Sequence, residues 1–155
     1  MTAIRFTPMP AADAEAFRNG RPDENGQVPE ASVADSPYPC RACLESIERG
    51  EAMLLLSYRP FRQIQPYAET GPVFMHATAC SPADEAQDLP GMLDSPDYIL
   101  RGYDSGDRII YGTGAVTPTT GLIERAKALL ARPEIAYLHV RSARNNCYQC
   151  RIDRA

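Results

Sequence analysis

The sequence predicts an α+β fold in which short strands pair antiparallel and a few short helices cover them. Three observations carry that expectation. Apolar residues gather in runs of strand length, such as "AMLLL", instead of long helical stripes. Strand-like segments in the second half are joined by short polar turns, the connection that antiparallel neighbours permit. One segment, "TTGLIERAKALLARPE", has a clear helical stripe, which gives residues 98–153 the order β-β-α-β-β.

Taken in chain order, "AIRFTPM" reads as a first strand. In "PAADAEAFRNG" that follows, Pro10 can open a helical turn and Gly20 can close it. Residues 21–37 are polar and rich in Pro, Asp, Glu and Gly, a surface loop of unusual length with room for a short pairing near Val28. "EAMLLLSY" is a buried strand by its continuous apolar character, and "GPVFMHA" a second, entered through Gly71 and Pro72. Ser81, Pro82, Asp84 and Glu85 make a helix start, with Ser81 as cap and the acids facing the positive end of the dipole. "YILRGYDSGDRIIYGTGAV" reads as a hairpin turning at residues 104–107. Leu122, Ile123, Ala126, Leu129 and Leu130 form one face of a helix that Pro133 stops. "IAYLHVRSARNNCYQCRID" is a last hairpin turning at Asn145 and Asn146.

A chain of 155 residues with 44% hydrophobic and 23% charged residues fits one domain with a real core. No apolar run approaches the roughly 18 residues of a membrane span. The start "MTAIRFTPMP" has neither a basic region nor an apolar stretch of signal-peptide type, so the expected location is the cytoplasm. A net charge of -4 argues against general nucleic-acid binding, which needs clustered Lys and Arg to neutralise phosphates. The expected partner is therefore a small molecule or a protein, with no membrane. Five cysteines are an odd number for a disulfide framework, which turns attention to metal binding or thiol reactivity.

Cys40 and Cys43 form one short pair, and His76 and Cys80 a second, with thirty-two residues between the pairs. Zinc takes four such ligands in a tetrahedron, most simply as two local pairs. The two strands predicted between them can fold as a hairpin and return the chain to its start. Such a site would be structural, since four protein ligands leave no place for a reactive water. Two other readings stand beside it: buried unliganded cysteines, because free Cys is among the most buried residue types, and a redox dithiol, which would need a strand-to-helix setting that "PYPCRACLES" lacks.

Cys147 and Cys150 have the same spacing, but within a strand residues three apart face opposite ways and cannot share one ion. A two-residue turn at Asn145 and Asn146 pairs Arg141 with Cys150 and His139 with Ile152, which makes His139 a diagonal neighbour of Cys150. A Cys/His catalytic pair, with Cys147 or Cys150 as nucleophile and His139 as base, is the alternative function. Arg59 and Glu69 flank the two predicted strands and could converge on a ligand. "GYDSGD" has the composition of a tight turn and too few oxygen ligands in register for calcium.

The segments "PCRACL", "LLLSYRPF" and "GPVFMHATAC", with "AYLHVRSARNNCYQCRID" near the end, resemble a bacterial family described as domain of unknown function 1203. That resemblance covers most of the chain from Tyr38 onward and implies no activity. "CRACLESIERGEAMLLL" with "GPVFMHATAC" is also similar to the zinc finger of poly(ADP-ribose) polymerases, in which a Cys pair, an Ile and a Gly lead into a hairpin closed by His and Cys. This similarity implies a zinc-finger-like lobe over residues 38–88 with Cys40, Cys43, His76 and Cys80 as ligands. The closing pair here is His-x3-Cys where that finger has His-x2-Cys, and Met75 stands where it has an aromatic residue.

Overall fold

A computed structural model describes residues 2–81 and 87–155. Its order is β1 (Ile4–Thr7), α1 (Ala11–Arg18), β2 (Glu30–Val33), β3 (Tyr38–Pro39), β4 (Ser46–Ile47), β5 (Ala52–Tyr58), β6 (Gly71–His76), β7 (Asp97–Tyr103), β8 (Ala115–Pro118), α2 (Leu122–Leu130), β9 (Tyr137–Ser142) and β10 (Tyr148–Arg154), with a 3-10 turn at Thr119–Gly121 leading into α2. The fold is α+β with every strand pairing antiparallel. The expected helix start at Pro82, Asp84 and Glu85 lies outside the described residues.

β1-β10-β9-β7-β8 form the larger sheet, and β2-β5-β6 a smaller one. Period-two alternation sorts the larger sheet's side chains. Leu138 and Val140 of β9 and Cys150 and Ile152 of β10 point to one side, where they meet Leu122, Ala126, Leu129 and Leu130 of α2. Each large apolar side chain buried on that helix contributes roughly 1.5–3 kcal/mol, so the stripe accounts for the docking of α2. The opposite side carries Tyr103 and Tyr137, covered by Phe61 from the β5–β6 connection.

The second half shows the expected β-β-α-β-β order in β7, β8, α2, β9 and β10. Three details differ from the sequence reading. Residues 21–37 hold one short strand, β2, whose Glu30–Val33 pairs with β5 a little beyond the pairing expected near Val28; its side chains are all exposed, so no buried alternation marks its bounds. The turn at residues 104–107 is present, held by Asp104 Oδ1 accepting from the N–H groups of Gly106 and Arg108. The return strand β8, however, pairs further along, with Ala115 opposite Leu100. Finally, β1 joins β10 and places the N-terminus in the second-half sheet.

The last hairpin also departs from expectation. Its loop holds four residues, 143–146, with Ser142 N–H donating to the Cys147 carbonyl at 2.9 Å and Asn146 in the left-handed region at φ 55°. A bulge between Tyr148 and Cys150 then shifts the register. Cys150 lies opposite Val140 and Arg151 opposite His139. The longer loop and the bulge together amount to a slip of one residue, and a slip of one moves a side chain to the other face.

Candidate metal centre

β3 and β4 are two-residue strands, and their pairing bends the chain into a tight knuckle. Within it Cys40 N–H donates to the Glu45 carbonyl at 3.0 Å and Leu44 N–H to the Cys40 carbonyl at 2.9 Å. Leu44 sits at φ 62°, a conformation that costs a non-glycine residue about 1–2 kcal/mol. Its side chain is 1% exposed in the core beneath α2, and that burial offsets the backbone cost. The knuckle curls Cys40 and Cys43 toward the same point, as an extended strand could not.

β5 and β6 deliver the other pair. Their register sets Met53 opposite His76 at the end of β6, and Ala77 N–H donates to the Ala52 carbonyl at 3.0 Å just beyond. The ligand atoms of Cys40, Cys43, His76 and Cys80 all lie within 4.8 Å of one another. Cys40 Sγ is 4.0 Å from Cys80 Sγ, and Cys43 Sγ is 3.5 Å from His76 Nδ1. Zinc–sulfur bonds of ~2.3 Å in a tetrahedron separate two sulfurs by ~3.8 Å, so these spacings match the edges of a zinc site. The four side chains could therefore hold a metal ion, and their chemistry suits zinc.

Without an ion the surroundings favour one thiolate, at Cys40. Cys40 is pushed down to about 4, first by the hydrogen bond from Cys43, against the cost of burial, with backbone N–H groups of His76, Cys43 and Ala42 adding to it. His76 N–H reaches Cys40 Sγ at 3.2 Å. Cys43 is pushed up, first by that same contact with Cys40, and Cys80 is pushed up by burial and by the charge on Cys40. Three sulfurs this close cannot all ionise without a cation between them, because like charges at short range oppose each other's ionisation. A divalent ion removes that conflict.

Two residues outside the cluster complete it, and the sequence reading did not find them. Arg18, the last residue of α1, donates from one guanidinium nitrogen to Cys80 Sγ at 3.2 Å and from Nε to the His76 carbonyl at 3.1 Å. Three thiolates and a divalent ion carry one net negative charge, which the guanidinium offsets. Glu51 places Oε1 3.4 Å from His76 Nε2, so the imidazole is held by a carboxylate on the nitrogen that points away from the cluster. Glu51 could have been found from the β5–β6 register; nothing in the spacing announces Arg18. Behind the knuckle Arg41, 2% exposed, donates to the carbonyls of Tyr148 and Pro39, which fastens the cluster to β10. Burial pulls its guanidinium down to about 10, still charged at neutral pH.

The other candidate residues do not assemble. His139 lies on the aromatic side of the larger sheet, 4.6–5.3 Å from the rings of Phe61, Tyr103, Tyr137 and Tyr148. Cys150 lies on the α2 side. The expected Cys150–His139 neighbourhood is thus absent, for the register reason given above. Burial pushes the Cys150 thiol up to about 12, and holds His139 well below its ordinary value, helped by Arg141, Arg151 and Arg101. Cys147 is half-exposed beside the hairpin loop, with Sγ 3.8 Å from the Asn145 carbonyl. Arg59 and Glu69 do not converge either. Glu69 is held by Arg101 at 2.8 Å and Arg141 at 3.3 Å, while Arg59 lines a different cleft.

Fold and site together define a small α+β protein with a Cys3His cluster built on a knuckle and a hairpin end. The chain belongs to the family described as Protein of unknown function (DUF1203), whose model matches residues 37–154. That span contains all four cluster residues and leaves out α1, which supplies Arg18. No curated protein and no solved structure matches the chain significantly, so the similarity to the poly(ADP-ribose) polymerase finger rests on the sequence motif alone. No helix among the described residues is long and apolar enough to cross a membrane.

Proposed function

We propose that Cys40, Cys43, His76 and Cys80 bind one zinc ion as a structural centre, and that the chain acts as a binding or interaction module in the cytoplasm. The observation that carries this reading is the mutual approach of four ligand atoms within 4.8 Å, at spacings close to tetrahedral edges. With all four positions supplied by protein, the ion would have no open place for substrate or water. Bound there, zinc supplies a cross-link between the β3–β4 knuckle and the end of β6. The chain's own residues do the rest: Glu51 orients the imidazole, Arg18 balances the charge, and Arg41 fixes the knuckle to the larger sheet.

Five cysteines, an odd number for a disulfide framework, support a reducing compartment. An acidic chain of net charge -4 favours a small molecule or a protein as partner over nucleic acid or a membrane surface. Native mass spectrometry of the full chain, with metal analysis, tests the centre. One zinc per chain and three protected thiols are expected. No bound metal, with all five thiols freely titratable in the folded protein, would exclude it.

A further inference from the structure

A cleft of about 460 Å³ opens between the two sheets, away from the metal cluster. Five arginines reach it (Arg5, Arg21, Arg59, Arg62 and Arg151) against four acids (Asp13, Glu24, Asp107 and Asp153). Three of the acids are already engaged. Asp13 pairs with Arg21 at 3.1 Å, Asp153 with Arg151 at 2.7 Å and with the Thr7 hydroxyl, and Asp107 accepts from the Tyr137 hydroxyl at 2.8 Å. Among the described residues, Arg59 and Arg62 have no acidic partner. Arg59 is half-buried, and its Nε is shielded from solvent with no hydrogen-bond acceptor. An unpaired donor of this kind costs free energy.

The wall beside these arginines is aromatic, formed by Tyr58, Phe61 and Tyr148. An acidic protein thus carries a concave site in which Arg59 and Arg62 stand outside any ion pair beside aromatic rings, of a volume that small molecules fill. Arginine matches carboxylate and phosphate oxygens two at a time, and ring faces take up flat apolar groups. We propose that this cleft binds a small organic anion, its phosphate or carboxylate group on Arg59 and Arg62 and its ring-containing body against Tyr58, Phe61 and Tyr148. None of the four cluster residues lines the cleft.

Titration of the full-length, metal-loaded protein by NMR tests it, with phenyl phosphate and benzoate as probes and inorganic phosphate and phenol as controls. Saturable shifts at Tyr58, Phe61 and Tyr148 are expected with at least one of the two ring-bearing anions, more tightly than with either control. The better of the two probes assigns the head group. Arg59→Gln and, as a second variant, Arg62→Gln should each weaken binding about tenfold or more. Arg132→Gln, which breaks a surface pair with Glu134, should leave it unchanged. No saturable shift up to about 10 mM, equal affinity for inorganic phosphate, or equal loss in Arg59→Gln and Arg132→Gln would overturn the proposal. Zinc content measured on the same samples keeps this outcome separate from the fate of the metal centre.

Discussion

Cys40 and Cys43 are separated by two residues, as are Cys147 and Cys150, yet only the first pair converges. The first lies in a knuckle where the chain turns back on itself between two-residue strands, with Leu44 in the left-handed region closing the bend. The second straddles the start of β10, leaving Cys147 half-exposed at the loop and Cys150 buried under α2. This spacing therefore brings two sulfurs together only where the backbone curls. The charged neighbours separate the two regions as well: Arg18 and Glu51 serve the first, whereas at Cys150 the charge of Arg41 is outweighed by burial.

The largest test of that contrast replaces one sulfur in each pair. Cys43→Ser should take the metal content from one ion per chain to none and cost at least about 3 kcal/mol, since ion binding and local folding are coupled. Cys150→Ser should keep the ion and cost about 1–3 kcal/mol for burying a hydroxyl in an apolar place. Metal analysis and denaturant midpoints report both. Loss of the ion in both variants, or in neither, would erase the distinction. Next in size is Glu51→Gln, which leaves the four ligands intact and removes the carboxylate from His76. A drop of about 10–100-fold in zinc affinity, measured by competition with a chromophoric chelator, is the expected consequence.

Much of this site was legible from the sequence because its determinants are local. The pairs Cys40/Cys43 and His76/Cys80 and the strand-like runs between them sufficed to place a hairpin and a four-ligand cluster. The last hairpin was legible as an element but not in register. Asn145 and Asn146 suit a two-residue turn, whereas the chain closes four residues between Ser142 and Cys147 and adds a bulge at Gln149. Each choice is worth little energy on its own, and packing on both faces decides between them. Apolar Cys150 goes beneath α2, and His139 goes among aromatic rings. Arg18 was invisible for another reason, since its contact with Cys80 spans 62 residues and depends on where α1 docks.

His139 offers a smaller test of the same facial assignment. Neither of its ring nitrogens has a hydrogen-bond partner, and burial with three nearby arginines holds it well below 6.5. The unfolded chain takes up a proton near 6.5 while the folded one does not. Stability is therefore whole above that pH and falls as pH drops below it, by up to about 1.4 kcal/mol per unit. His139→Phe should remove this component. The difference in slope between wild type and variant, from denaturant unfolding at pH 6.5 and 5.5, is the measurement. Equal slopes would place His139 in contact with solvent or a partner, and so off the aromatic face.

The smallest effect belongs to Cys147. Its sulfur makes one weak contact, to the Asn145 carbonyl, while the Ser142 hydroxyl is bonded to its backbone N–H and not to its side chain. Cys147→Ala should therefore change stability by less than about 0.5 kcal/mol and leave the metal content untouched. The same exposure makes Cys147 the thiol that iodoacetamide reaches first in the folded, metal-loaded protein. Peptide mapping should find one modified cysteine there, with Cys150 protected by burial and by a thiol pushed up to about 12. Chelation should then release Cys40, Cys43 and Cys80 to the reagent and leave Cys150 as it was. Modification of Cys150 at the rate of Cys147 before chelation would mean that β10 does not present these two sulfurs to different surroundings, and the contrast between the two cysteine pairs would fail at its second member.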